Sequence, residues 1–243
     1  MKPFLLIATR AEDKAADDEY AQILRYGNLE ESDLHRLRLE QVPMPKISLD
    51  DYSGIIVGGS PFTGSEPQDT KSETQVRVES EISRLLDDVV EQDFPFLGAC
   101  YGVGTLGSHQ GATIDYTYGE AVGGTTIRVT EEGKTDPLLE GVPHTFSAFV
   151  GHKEAVRILP SHALLLAPSE NCPVQMFRIK NNLYGTQFHP ELDPDGIATR
   201  IRIYKNAGYF APDEADSLIN ETAQWDVSSA HRIISNFTAR YAR

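Results

Sequence analysis

A chain of 243 residues, 40% hydrophobic and 24% charged, has ordinary globular proportions and can bury one large α/β core. Its formal net charge of −14 excludes a phosphate-backbone partner such as nucleic acid, which needs clustered Lys and Arg. Two cysteines, Cys100 and Cys172, make no disulfide framework. No apolar run approaches the roughly 20 residues of a membrane helix, so no membrane association is expected.

The first predicted strand is Phe4–Ala8, too short an apolar run for a signal-peptide core, and a cytoplasmic location is expected. A helix over residues 17–29 and an extended stretch over 34–41 follow. The acidic runs 12–19 and 30–33 read as solvated loops or helix starts. A second strand covers 54–57 and a third 94–97. Between them Val78, Ile82, Leu85, Leu86 and Val89 recur at helical spacing, and strand, long helix, strand is the crossover unit of a parallel sheet. Residues 111–190 alternate and are rich in β-branched side chains, as in antiparallel or mixed pairing. Within them Asn181-Asn182 suits a hairpin turn because asparagine tolerates positive φ. A fourth strand spans 183–188. After Pro194 the pattern is helical, over 194–206 and 228–243. With no repeat and no long linker, residues 1–243 read as one domain with a helical extension from about 207 to 243. The expected fold is α/β, an open mixed, mainly parallel sheet flanked by helices.

Three stretches carry chemistry. Cys100 lies in Gly98-Ala99-Cys100-Tyr101-Gly102, the small-residue frame of a nucleophile elbow, in which a sharp strand-to-helix turn exposes the nucleophile. Taken alone, a buried structural cysteine is as good a reading. His189 follows the fourth strand and Glu191 lies two residues on. In extended chain the two point the same way, so the carboxylate can fix the imidazole tautomer. Gly58-Gly59 closes the second strand, where backbone N–H groups can face a developing oxyanion or simply make a turn. All three fall just beyond the carboxyl ends of different predicted strands, where open α/β sheets build their sites. No phosphate-binding GxxxxGK[ST] occurs and the seven histidines show no zinc-ligand pairing. Asp193-Pro194-Asp195-Gly196 reads as a helix cap rather than a calcium loop.

"IIVGGSPFTGSEP", "PFLGACYG", "FVGHKEAV" and "GTQFHPE" together resemble the class I glutamine amidotransferases, in particular the glutaminase portion of GMP synthase and its free-standing relatives. The resemblance implies their flavodoxin-like fold. It makes Cys100 the nucleophile, His189 the general base and acid, and Glu191 the orienting carboxylate. The backbone amides of Gly59 and Tyr101 would form the oxyanion hole. Gly58, Gly104, Gly151, His152 and Glu154 would border the substrate. The implied reaction is hydrolysis of a γ-glutamyl amide through a thioester, with no metal and no organic cofactor. The small-molecule substrate would be glutamine or a γ-glutamyl compound. The sequence departs from the family at Gly104, where a substrate-binding glutamine usually stands. No ATP-pyrophosphatase portion follows Glu191, so a separate synthetase subunit would accept the ammonia. Two alternatives stay open: a γ-glutamyl peptidase with the same three residues, and a catalytically silent binding module.

Overall fold

The computed structural model describes residues 2–243. Its main sheet has seven strands in the order β2-β1-β3-β4-β11-β10-β9. These are Phe4–Ala8 (β1), Leu34–Arg38 (β2), Ile55–Val57 (β3), Phe96–Ala99 (β4), Ala163–Ala167 (β9), Met176–Ile179 (β10) and Leu183–Thr186 (β11). From β2 to β11 the neighbours run parallel, and β10 and β9 add an antiparallel edge. Two antiparallel pairs lie outside the sheet. Thr113–Asp115 (β5) pairs with Ala155–Ile158 (β8), and Glu120–Arg128 (β6) with Thr145–His152 (β7). The mixed, mainly parallel architecture is the one expected.

Every residue of β1, β3 and β4 is buried, so these strands read as continuous apolar runs instead of alternating ones. The alternation survives in which face each side chain serves. Phe4, Leu6, Ile56 and Leu97 join Ile23 of helix α1 (Asp13–Gly27) and Ile233 and Phe237 of α6 (His231–Tyr241). Leu5, Ile7, Ile55, Val57 and Phe96 join Val78, Ile82 and Leu86 of α2 (Glu73–Glu91) and Val103 and Leu106 of α3 (Tyr101–His109). The period-2 strand thus sorts its residues between two helical layers. The C-terminal helix belongs to the first: the Phe4 and Phe237 rings lie 5.8 Å apart and Thr238 Oγ1 donates to Gly27 O at 2.8 Å. A smaller cluster forms where Ile197 and Ile201 of α4 (Pro194–Tyr204) meet Phe149, with Leu218 and Ile219 of α5 (Ala215–Thr222) packed against it.

Of the two readings of the acidic run 12–19, solvated loop or helix start, the structure shows the helix start. Helix α1 starts at Asp13, and its Glu19 side chain is fully buried. The turn between β10 and β11 puts its positive φ on Lys180 (50°), not on an asparagine. Asn181 and Asn182 instead hold the Asp93 carboxylate at 2.9–3.2 Å, tying the start of β4 to the start of β11. The third strand begins two residues later than expected, because Asp93 (φ 49°) reverses the chain after α2. Among the described residues no helix is long and apolar enough to cross a membrane.

Candidate active site

Strands β4 and β11 are parallel neighbours with Gly98 opposite Gly185 and Ala99 opposite Thr186. Cys100 and His189, far apart in sequence, therefore emerge side by side at one rim of the sheet. Cys100 sits at φ 52°, ψ −95°, between β4 and the first residue of α3. A non-glycine residue there stores roughly 1–3 kcal/mol of backbone strain. The surroundings enforce it. Cys100 N–H donates to Thr186 O at 2.7 Å. A Cβ on Gly98 would strike the Gly102 carbonyl, and one on Gly102 would strike the Val57 carbonyl. The elbow closes only because both positions are glycine.

His189 is held by its own N–H, donated to Phe149 O of β7 at 2.9 Å. Its Nδ1 lies 2.8 Å from Glu191 Oε1 and 3.0 Å from Arg200 Nη1. One ring nitrogen cannot donate to the first and accept from the second. The ionised carboxylate only accepts and lies nearer, so Nδ1 carries hydrogen and Arg200 contributes through its ion pairs. That leaves Nε2 free toward Cys100, with which His189 shares one cavity. Burial alone would lower the His189 pKa. Glu191 and Cys100 overcome burial, against Arg200, and hold it above the ordinary imidazole value. Burial would raise Glu191 in turn, but His189 and Arg200 keep it well below the usual carboxylate range.

Behind this group lies a buried ionic chain. Glu19 Oε1 accepts from Arg10 Nε at 3.1 Å and Arg200 Nη2 at 3.3 Å, and Arg200 Nη2 also reaches Glu191 Oε1 at 3.0 Å. Helix α1 thereby reaches the site from beneath. It also takes one expected oxyanion donor: Gly59 N–H points to Glu19 Oε1 at 3.2 Å and is spent there. The next amide, that of Ser60, has no hydrogen-bond partner among the described residues, and Ser60 lines the cavity at Cys100. Tyr101 N–H, in the first turn of α3, is likewise without a backbone acceptor.

The five expected substrate neighbours divide. Gly151 lines a cavity of about 50 Å³ on the His189 side of Cys100, with Arg10, Ser60, Tyr204 and Tyr209. Gly104, His152 and Glu154 line a cavity of about 30 Å³ on the other side, with Gln187. Gly58 lines neither, because its N–H is used in a sheet-like bond to Ile7 O. Both ring nitrogens of His152 are engaged, with Glu154 O and Glu120 Oε2 at 3.0 Å each. Glu154 clamps the loop after β3, accepting from Gly64 N at 2.8 Å and Ser65 N at 2.7 Å. Sequence reasoning missed Arg10, Glu19 and Arg200. A signal existed for Glu19: with Ala15 and Ile23 it repeats at four-residue spacing, putting a carboxylate on the apolar stripe of α1.

The family model described as Glutamine amidotransferase class-I matches residues 22–201. The chain belongs to that family. This class-I glutamine amidotransferase is 34% identical over 116 residues to a GMP synthase (glutamine-hydrolyzing) of Thermosipho africanus, covering 47% of the chain and 22% of that protein. It thus spans about a fifth of that relative's length. It is 27% identical over 173 residues to a separate GMP synthase (glutamine-hydrolyzing) subunit of Thermoplasma volcanium, covering 71% and 78% of the two chains. Among solved structures, a glutamine amidotransferase from Thermotoga maritima superposes with a TM-score of 0.77 at 19% identity, over 99% of this chain and 98% of that one.

Proposed function

We propose that the protein hydrolyses the γ-carboxamide of a glutamine-type substrate through a γ-glutamyl thioester on Cys100. The observation that carries this reading is the strained elbow at Cys100, facing an imidazole whose far nitrogen is bound to a buried carboxylate. Cys100 sulfur attacks the amide carbonyl as its proton passes to His189 Nε2. The oxyanion is held by the amides of Ser60 and Tyr101, each donor worth about 3 kcal/mol. The imidazolium, steadied by Glu191, gives its proton to the departing nitrogen, and the C–N bond breaks. Water, deprotonated by His189, then cleaves the thioester and restores the thiol.

The leaving nitrogen must stand near His189, hence in the cavity of about 50 Å³ that His189 lines. The acyl chain takes the side lined by Gly104 and Glu154. Ammonia released there would leave from beside His189. The resemblance to the Thermoplasma volcanium GMP synthase subunit supports delivery of the ammonia to a synthetase on another polypeptide. Ammonia release from glutamine, compared with amine release from γ-glutamyl peptides, tests the reading. Turnover of glutamine that vanishes in Cys100→Ala is expected. Wild-type-like turnover in that variant, or turnover of γ-glutamyl peptides alone, overturns it.

A further inference from the structure

The acyl side of Cys100 does not end at its small cavity. Tyr101, Gly104 and Glu154 also line a neighbouring chamber of about 260 Å³, larger than either space that touches the cysteine. No side chain divides the two at position 104, where a Cβ would have only Glu154 Oε1 within 4 Å, at 3.7 Å. The far walls are Glu79 and Ser83 of α2 and Thr105, Ser108 and His109 of α3.

One atom in that wall has no role in the fold. Tyr101 is 5% exposed, and its Oη finds no hydrogen-bond partner among the described residues. The charges of Glu79 and Glu154 both act on this phenol and, after burial itself, hold its pKa above the ordinary value, so it stays a neutral hydroxyl between two carboxylates. Closer to the cysteine, Gln187 Oε1 is buried and unpartnered in the acyl cavity. Each oxygen of Glu79 and of Glu154 accepts one bond, from Lys71, Gln75, Gly64 and Ser65, and keeps capacity for another. No Lys or Arg lines the chamber. His109 is occupied by Asp87 and Gln110. Glu79 is already ion-paired with Lys71 at 2.7 Å, so the unbalanced charge in the wall is that of Glu154, which has no cationic partner among the described residues and would attract an ammonium and repel a carboxylate.

Distance sets what arrives. Gly104 lies one helical turn from Cys100, about 6 Å along α3. A γ-carboxamide whose carbonyl carbon touches Cys100 sulfur brings its α-carbon to Gly104, and any group attached beyond that carbon enters the chamber. We propose that the chamber is the outer part of the acyl subsite and receives the amine-bearing extension of a γ-carboxamide substrate longer than free glutamine. The ammonium sits against Glu154, with Tyr101 Oη as an added acceptor. This rests on the assignment of Cys100 as the attacking group.

The test separates the two ideas. Binding of L-glutaminyl-L-lysine amide, L-glutaminyl-L-alanine amide and L-glutaminyl-L-glutamate to Cys100→Ala protein is measured by calorimetry, independent of turnover. The lysine compound is expected to bind about tenfold tighter than the alanine compound, a charge-assisted contact, with the glutamate compound weakest. Adding Glu154→Gln should erase most of that preference, and Ser108→Phe should weaken all three by filling the chamber from its rim. Equal affinities, a preference for the glutamate compound, or no binding of any overturns the proposal. Ammonia release from free glutamine by the wild type tests the parent reading separately. Release with no charge preference sinks the chamber alone, whereas no release from any compound sinks the hydrolase and with it the acyl-subsite assignment, and an intact preference then shows only a site that binds cations.

Discussion

Removing the Glu19 carboxylate should unsettle the site from below. Its side chain is 0% exposed, and one oxygen accepts from Arg10 Nε at 3.1 Å, Gly59 N at 3.2 Å and Arg200 Nη2 at 3.3 Å. Glu19→Ala leaves Arg10 with only the Tyr204 hydroxyl and Arg200 with Glu191 as its sole carboxylate. Breaking a buried pair by deleting one partner costs about 3–5 kcal/mol, because the remaining charge stays desolvated. For a chain of this length that corresponds to a fall in Tm of roughly 6–20 °C. Glu19→Gln keeps an acceptor and the shape, and should lose about half as much. Urea titration with an unchanged m-value and a thermal melt read the effect. A loss below about 1 kcal/mol in Glu19→Ala would refute the reasoning, since two buried guanidinium groups would then need no such partner.

The pH response follows from the same group. Glu191 is the largest influence holding the His189 pKa up, and His189 must be neutral to take the Cys100 proton, so Glu191→Gln should move the acidic limb of the kcat/KM profile to lower pH; a limb that stays in place contradicts the assignment. Because the Glu191 pKa is depressed on folding, its stabilisation is present above about 4.5 and fades as pH falls below that. Wild-type Tm should therefore drop more steeply with acid than that of Glu191→Gln, as melts between pH 6 and about 3 would record. Gly98→Ala drives a methyl into the Gly102 carbonyl and should cost about 1–3 kcal/mol or more, together with activity; a near-neutral melt would mean the elbow has room to spare.

The parallel core was legible because β1, β3 and β4 are short apolar runs with helical spacing between them, and burial on both faces leaves that signature. The meeting of Cys100 with His189 and Glu191 could be expected because each closes a strand; that β4 and β11 are direct neighbours is a matter of topology, which local pattern does not encode. The Gly59 amide went astray for a related reason. Which of two successive N–H groups stays free depends on Glu19 arriving from another element. Arg10 and Arg200 look like surface charges in sequence, and only their burial against Glu19 and Glu191 shows otherwise. Helix α5 fell inside a stretch read as helical but was not singled out, being only eight residues long.

On the proposed mechanism Cys100 is the nucleophile and His189 its proton carrier. Exposure to a glutamine-analogue electrophile such as 6-diazo-5-oxo-L-norleucine, followed by intact-mass and peptide mapping, tests it most directly. One adduct at Cys100, forming far more slowly in folded His189→Ala protein, is the predicted result. Folded wild-type protein that stays unlabelled, or that carries its adduct on Cys172, whose buried thiol is pushed up to about 12, would contradict it.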